Sequence, residues 1–284
     1  MKIGYTTYEN LGALEFAKAS GFQCLEFTAL PAFAGIDMVA DLDTQSKISA
    51  FRAQIDESGI EVQSIITALN PMAADSTTAK EAFDYLKSLI ILAGKLAIPY
   101  VSTTSGQNTS ITLDENVKLF GKVYRDLCKV ADDSNVGIVF ENCLHGYPCG
   151  QNIAVNPETW AKLFNEVDTD TLGLEFDPSH LMFQFIDPVD AAKEFAGKIR
   201  ILHGKDTEII EEELYRGGIY SLKGYWRFRL PGYGDVHWPS LFQVLRESGF
   251  DGNVVIEHED PVFHGDRMHE GLIIGKHYLS QFIW

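Results

Sequence analysis

The chain has 284 residues, 23 Lys+Arg against 40 Asp+Glu, and a formal net charge of −17. That balance repels phosphate backbones and argues against nucleic acid as a partner; the nearest thing to a basic stripe, Arg227 with Arg229, suits one small anionic or hydroxylated ligand. At 45% hydrophobic residues the chain can bury a large core and is not disordered, and no apolar run reaches the roughly 20 residues of a membrane span.

The start, MKIGYTTYENLG, lacks the apolar stretch and cleavage site of a signal peptide, so a cytoplasmic protein is expected. Cys24, Cys128, Cys143 and Cys149 contain no C-x-x-C pair. Cys143 and Cys149 flank His145 and invite a zinc-site reading, but structural zinc sites use tighter paired spacing, and free thiols in a reducing compartment are the simpler expectation.

Short apolar runs alternate with longer amphipathic stretches from the first residues on. Lys2 to Thr7 reads as a strand, Leu11 to Ser20 as a helix stopped by Gly21, and Cys24 to Phe27 as a second strand. Residues 44–58 carry Ile48, Phe51 and Ile55 at helical spacing, with Gly59 as the stop. Val62 to Leu69 is a third strand and Thr78 to Leu96 a long helix.

Tyr100 to Thr104 is a fourth strand, followed by a helix over Leu113 to Asp133. Gly137 to Phe140 is a fifth, ending in Glu141-Asn142. Asn156 and Pro157 read as the cap and first residue of the next helix. Leu172 to Phe176 ends at Asp177, Ile199 to Leu202 at His203, and Val254 to Ile256 at Glu257, with helices from Pro188, over Trp238 to Ser248, and from about Arg267 to Phe282.

Eight strand–helix units with non-alternating apolar strands predict a parallel sheet covered by helices. In about this length, they predict a (β/α)8 TIM barrel forming a single domain over residues 1–284. An open doubly wound sheet is disfavoured because Tyr8-Glu9-Asn10-Leu11-Gly12 is no Gly-rich phosphate turn. Thr207 to His237 is too long for a plain connection, so an active-site loop insertion is expected over about 207–237.

Four late strands thus end in Glu141, Asp177, His203 and Glu257. A lone Glu at a strand end is most often a solvated residue or an ion-pair partner, and a lone His near a core is usually a satisfied hydrogen bonder. The series is what points to a metal, since a barrel gathers its strand ends into one site. Three carboxylates and one imidazole suit one divalent ion, Mn, Mg, Co or Zn. The segments Asp177-Pro178-Ser179-His180, His203-Gly204-Lys205-Asp206 and Glu257-His258-Glu259-Asp260 crowd titratable groups beside buried strands, which also marks a site.

The phrases VFENC (139–143), LGLEFDPSH (172–180), ILHGKD (201–206), LPGYGDVHWPSLF (230–242) and VVIEHEDP (254–261) resemble the xylose-isomerase-like TIM-barrel superfamily, and within it the proteins called sugar phosphate isomerase/epimerase. The likeness is specific over roughly residues 137–262. It implies that Glu141, Asp177, His203 and Glu257 bind one divalent metal, that Glu141 and Glu257 are the catalytic acid/base pair, and that His180 contacts substrate oxygens. Lys205, Asp206, Arg227, Arg229, Trp226 and His145 are further candidates for substrate binding. Trp226 and Phe228 could equally pack the 207–237 excursion onto the barrel.

The implied reaction removes the proton beside a carbonyl and returns it to the same or the neighbouring carbon of a sugar. No strong phosphate nest is visible, which favours an unphosphorylated or 3-keto substrate. A lyase or dehydratase using the same first step, inosose dehydratase-like or cleaving 3-keto-glycosides, is the alternative. An endonuclease IV-like DNA repair protein is a remote one, ill matched by 8 His and −17. The expected partner is a small carbohydrate, with no membrane, and a homo-oligomer among the expected assemblies.

Overall fold

The computed structural model describes residues 1–144 and 151–284. Its strands are β1 (Ile3–Thr7), β2 (Cys24–Thr28), β3 (Glu61–Ile66), β4 (Tyr100–Thr103), β5 (Gly137–Glu141), β6 (Leu172–Phe176), β7 (Ile199–His203), β8 (Asp206–Ile209), β9 (Trp226–Arg229) and β10 (Asn253–Ile256). Eight of them form a closed barrel in the order β1-β10-β7-β6-β5-β4-β3-β2, while β8 and β9 make a separate two-stranded sheet. The barrel pairings are parallel, as βαβ connections require. None of the helices described is long and apolar enough to cross a membrane.

By internal packing the chain falls into two compact units, residues 7–175 and residues 1–6 with 176–284. In the first, β2 to β6 pair in sequence order. The β2–β3 register slips between Leu25↔Val62 and Glu26↔Ser64, so Gln63 is an extra, bulged residue. The helices Leu113–Ser134 and Pro157–Glu166 begin with reciprocal caps: Thr112 with Glu115, and Asn156 with Thr159 behind Pro157. Their apolar faces bury Phe120, Tyr124 and Trp160, and Phe120 and Tyr124 stack at 4.4 Å beside Phe140 of β5. Asn10 holds a left-handed backbone (φ 49°) and clamps the end of β2, accepting from Thr28 N at 2.9 Å and donating to Thr28 O at 3.0 Å.

In the second unit, β1 pairs with β10 and β10 with β7 (Ile3↔Val254, Val254↔Leu202). Its core includes Trp238 and Leu241 of the helix Trp238–Glu247 and Leu279 of the helix Met268–Leu279.

The strands stand where the sequence pattern puts them, to within a residue or so at most ends; β3 stops at Ile66, three residues short, although Thr67 N still donates to Ser102 O at 2.9 Å. The excursion after β7 differs more. It contains an antiparallel hairpin, with Asp206↔Arg229, Thr207↔Phe228, Glu208↔Arg227 and Ile209↔Trp226 as partners. The helix Glu211–Gly217 lies between the two strands.

Candidate functional site

The richest cluster of ionisable groups in the second unit is built on the ends of β6, β7 and β10. Asp177 directly follows β6, and its Oδ1 accepts from Ser179 N at 2.8 Å, which starts the short helix Ser179–Met182 and sets His180 one turn on. Its Oδ2 lies 3.7 Å from His203 Nδ1, 3.6 Å from His180 Nε2 and 3.0 Å from Lys205 Nζ. His203 closes β7, fully buried, with Nδ1 3.2 Å from Oε2 of Glu257, the residue after β10. One donor atom from each of Asp177, His180 and Glu257 lies within 4.8 Å of the others.

Lys205 enters the cluster across Gly204. A Cβ at Gly204 would stand 2.8 Å from Leu279 Cδ1, so a larger residue here requires the Leu279 side chain to shift. The Lys205 ammonium pairs with Asp177, with Glu257 and with Glu259 (3.0 Å), lies 3.2 Å from His180 Nε2 and sits 4.5 Å over the Phe228 ring. It is 1% exposed.

Burial alone would raise both carboxyls, but the charge of Lys205 and the nearby histidines outweigh it. Asp177 is held far below the usual carboxylate range and Glu257 falls to about 2. Both are therefore ionised at neutral pH.

The remaining candidates fall in three groups. Asp206 gives its carboxylate to four donors, Thr207 N, Gly232 N, Val236 N and Trp238 Nε1, and so ties the excursion to the helix behind it. Arg227 is forked onto Glu208, and Arg229 is shared between Glu208 and Asp260. Trp226 stacks face to face on Phe183 at 4.1 Å and Phe228 meets His180 edge-on at 5.2 Å. The excursion is pinned here as well, through Thr207 Oγ1 donating to Ser179 O at 2.9 Å.

In the first unit, Glu141 closes β5 and is buried. Asn152 holds the chain behind it, donating to Glu141 O and Cys143 O at 3.0 and 3.1 Å and accepting from Ser105 Oγ at 2.7 Å. His145 and Cys149 lie outside the described residues. Cys24, Cys128 and Cys143 are buried cysteines outside any disulfide, and burial pushes Cys128 up to about 12.

Two groups were not picked out by the sequence pattern. Glu26 and Glu175 are fully buried inside β2 and β6, with carboxylate oxygens within 4.8 Å of one another; Ser64 donates to Glu26 and Ser102 to Glu175. Their signal was there to read: an acid in the middle of an apolar strand, CLEFT and LGLEF. Glu259, already marked by the Glu257-His258-Glu259-Asp260 cluster, meets the buried ammonium from the loop after β10.

A model of the family described as the xylose isomerase-like TIM barrel matches residues 14–274. The chain belongs to that family. Among relatives, the uncharacterized protein YfiH of Bacillus subtilis (strain 168) is 33% identical over 147 residues, 48% of this chain and 45% of YfiH. An inosose dehydratase of Clostridium perfringens (strain 13 / Type A) is 30% identical over 104 residues, 35% of each chain. The chain thus spans less than half the length of either relative. A crystal structure of IOLI protein with a binding zinc atom superposes with a TM-score of 0.78 at 21% identity, covering 99% of this chain and 98% of that one. That likeness is one of fold.

Proposed function

We propose that this chain is a divalent-metal-dependent enzyme acting on a carbohydrate, a sugar isomerase or epimerase whose first step is proton abstraction next to a carbonyl. Glu141, Asp177, His203 and Glu257 would hold one Mn, Mg, Co or Zn ion. The observation that carries the reading is the approach of Asp177 Oδ2, His203 Nδ1 and Glu257 Oε2 at three buried strand ends, 3.2 to 3.7 Å apart through the imidazole. Buried carboxylates are tolerated when paired or bound to a cation, and an oxygen-rich set with one imidazole suits a hard divalent ion.

An ion held by these residues would supply Lewis acidity toward a substrate carbonyl and its neighbouring C–H. Glu257, ionised at neutral pH, takes that proton. Glu141, at the end of β5, returns it. Return to the same carbon from the other face inverts that carbon, and return to the adjacent one moves the carbonyl. His180 and Lys205 orient the substrate oxygens, and the excursion carrying Trp226, Arg227 and Arg229 screens the site from water. An unphosphorylated or 3-keto sugar fits the acidic surroundings best, because phosphate would meet net negative charge.

The match to an inosose dehydratase over 104 residues supports a second reading. Here the same carbanion expels a β-hydroxyl, and the product loses water. Incubation of the metal-loaded protein with ketoses and 3-keto-sugars in D2O separates the outcomes. Deuterium at the α-carbon is expected, lost in Glu257→Gln. A product mass unchanged apart from the incorporated deuterium marks an isomer, and loss of water marks elimination. Failure of the whole sugar panel to exchange would remove the enolisation reading.

A further inference from the structure

We infer that Lys205 is a resident cation of this site, one that competes with a divalent metal for Asp177 and Glu257 and falls back on Glu259 when the metal is loaded. The inference rests on the metal reading above and extends it to a residue that binds no metal. Among the described residues, Lys205 Nζ pairs with the carboxylates of Asp177, Glu257 and Glu259. Two of the three are the acids assigned to the metal. The third is 47% exposed and stands outside that set.

The ammonium has no ready route to solvent. Its side chain is 1% exposed, Phe228 covers it at 4.5 Å, and His180 stands 3.2 Å away. The backbone that carries it is fixed on both sides, by Gly204 N donating to Val255 O at 2.7 Å and by Thr207 bonded to Ser179 O. A metal that takes oxygens of Asp177 and Glu257 therefore faces a positive charge a few ångström away that cannot be diluted into water. Two consequences follow. The ammonium weakens metal binding by repulsion, and the loaded state leans on Glu259, the carboxylate partner that stands outside the assigned metal set.

Calorimetric titration of the metal-stripped full chain with MnCl2 tests this, using Lys205→Met, Glu259→Gln and the double variant. Lys205→Met should bind Mn at least about tenfold more tightly than wild type, from repulsion at an effective dielectric of about 20. Glu259→Gln should bind it several-fold more weakly, roughly the cost of a lost charge partner, and that loss should vanish when Lys205 is already Met. Glu259→Gln changes a half-exposed side chain, so it reports even if Lys205→Met folds poorly. Equal or weaker Mn binding by Lys205→Met overturns the inference while leaving the metal site standing. So does a Glu259→Gln effect that persists unchanged in the Lys205→Met background, since it is then a bulk charge effect. If wild type and Lys205→Met both ignore Mn, Co, Mg and Zn, the metal reading itself falls.

Discussion

The guanidinium of Arg229 donates through Nε to Oδ2 of Asp260 at 2.9 Å, and this pair fastens β9 to the loop that leaves β10. Asp260 also accepts from Leu230 N at 3.0 Å and Val262 N at 2.8 Å, and its side chain is fully buried. Asp260→Asn removes the charge and one of the acceptor oxygens while leaving the guanidinium in place. We expect a loss of about 1–3 kcal/mol, the usual effect of leaving a buried charged donor short of its acceptor. Thermal melts should show the drop, and limited proteolysis should cut first within residues 207–230. A variant that melts with wild type and resists cleavage there would show that the hairpin is held elsewhere.

The same contacts set a pH dependence. Glu208 is held below the usual range by hydrogen bonding to Arg227 and Arg229. Asp260 is pushed up by burial, but Arg229 and the amides of Leu230 and Val262 more than reverse this. A carboxyl whose folded value lies below its unfolded value contributes stability above the unfolded value, about 4, and loses it as pH falls through the folded one. The melting temperature should therefore be flat with respect to these groups from pH 7 to about 5 and fall below about 4. Asp260→Asn should flatten that acid limb. An acid limb of unchanged steepness in Asp260→Asn would assign it to other carboxyls.

How far the site could be read from the chain depended on where each residue sits. The strand-end positions of Glu141, Asp177, His203 and Glu257 were legible because each ends an apolar run. The Asn156-Pro157 cap was legible because capping is local. The hairpin β8–β9 was not, because its partners stand 17 to 23 residues apart, and Arg227 and Arg229 read as candidates for holding a ligand rather than as partners of Glu208. Glu26 and Glu175 were hidden for the opposite reason: they interrupt strands that otherwise read as plain core. The approach of Lys205 to Asp177 and Glu257 depends on three strand ends meeting, which no local pattern encodes.

Gly234 should tolerate no side chain. A Cβ built there would stand 2.6 Å from both Thr207 C and Thr207 O, and against Asp206 Oδ1 as well. Two of these atoms are backbone and the third belongs to a carboxylate already fixed by four donors, so none can yield cheaply. Gly234→Ala is expected to cost about 2 kcal/mol or more, in the range of overpacking in a rigid site. The melting temperature measures it, with Gly197→Ala as a control because a Cβ there meets nothing within 4 Å. Equal melting temperatures for the two variants would mean that the excursion moves freely at this point.

Asp177→Asn separates the fold of the site from its charge. The amide oxygen can keep the bond from Ser179 N that starts the helix carrying His180, so the local backbone should survive. What disappears is the negative charge facing Lys205, His180 and His203. A divalent ion would lose a charged ligand inside a buried site, and affinity should fall by about 100-fold or more, the scale of a lost charge-assisted contact of a few kcal/mol. The melting temperature of the metal-free protein should change far less than the metal affinity, because Lys205 keeps Glu257 and Glu259 as partners. Metal analysis after gel filtration, alongside melts with and without chelator, reads both quantities. Full retention of metal by Asp177→Asn would remove Asp177 from the ligand set and leave it as a partner of Lys205 alone.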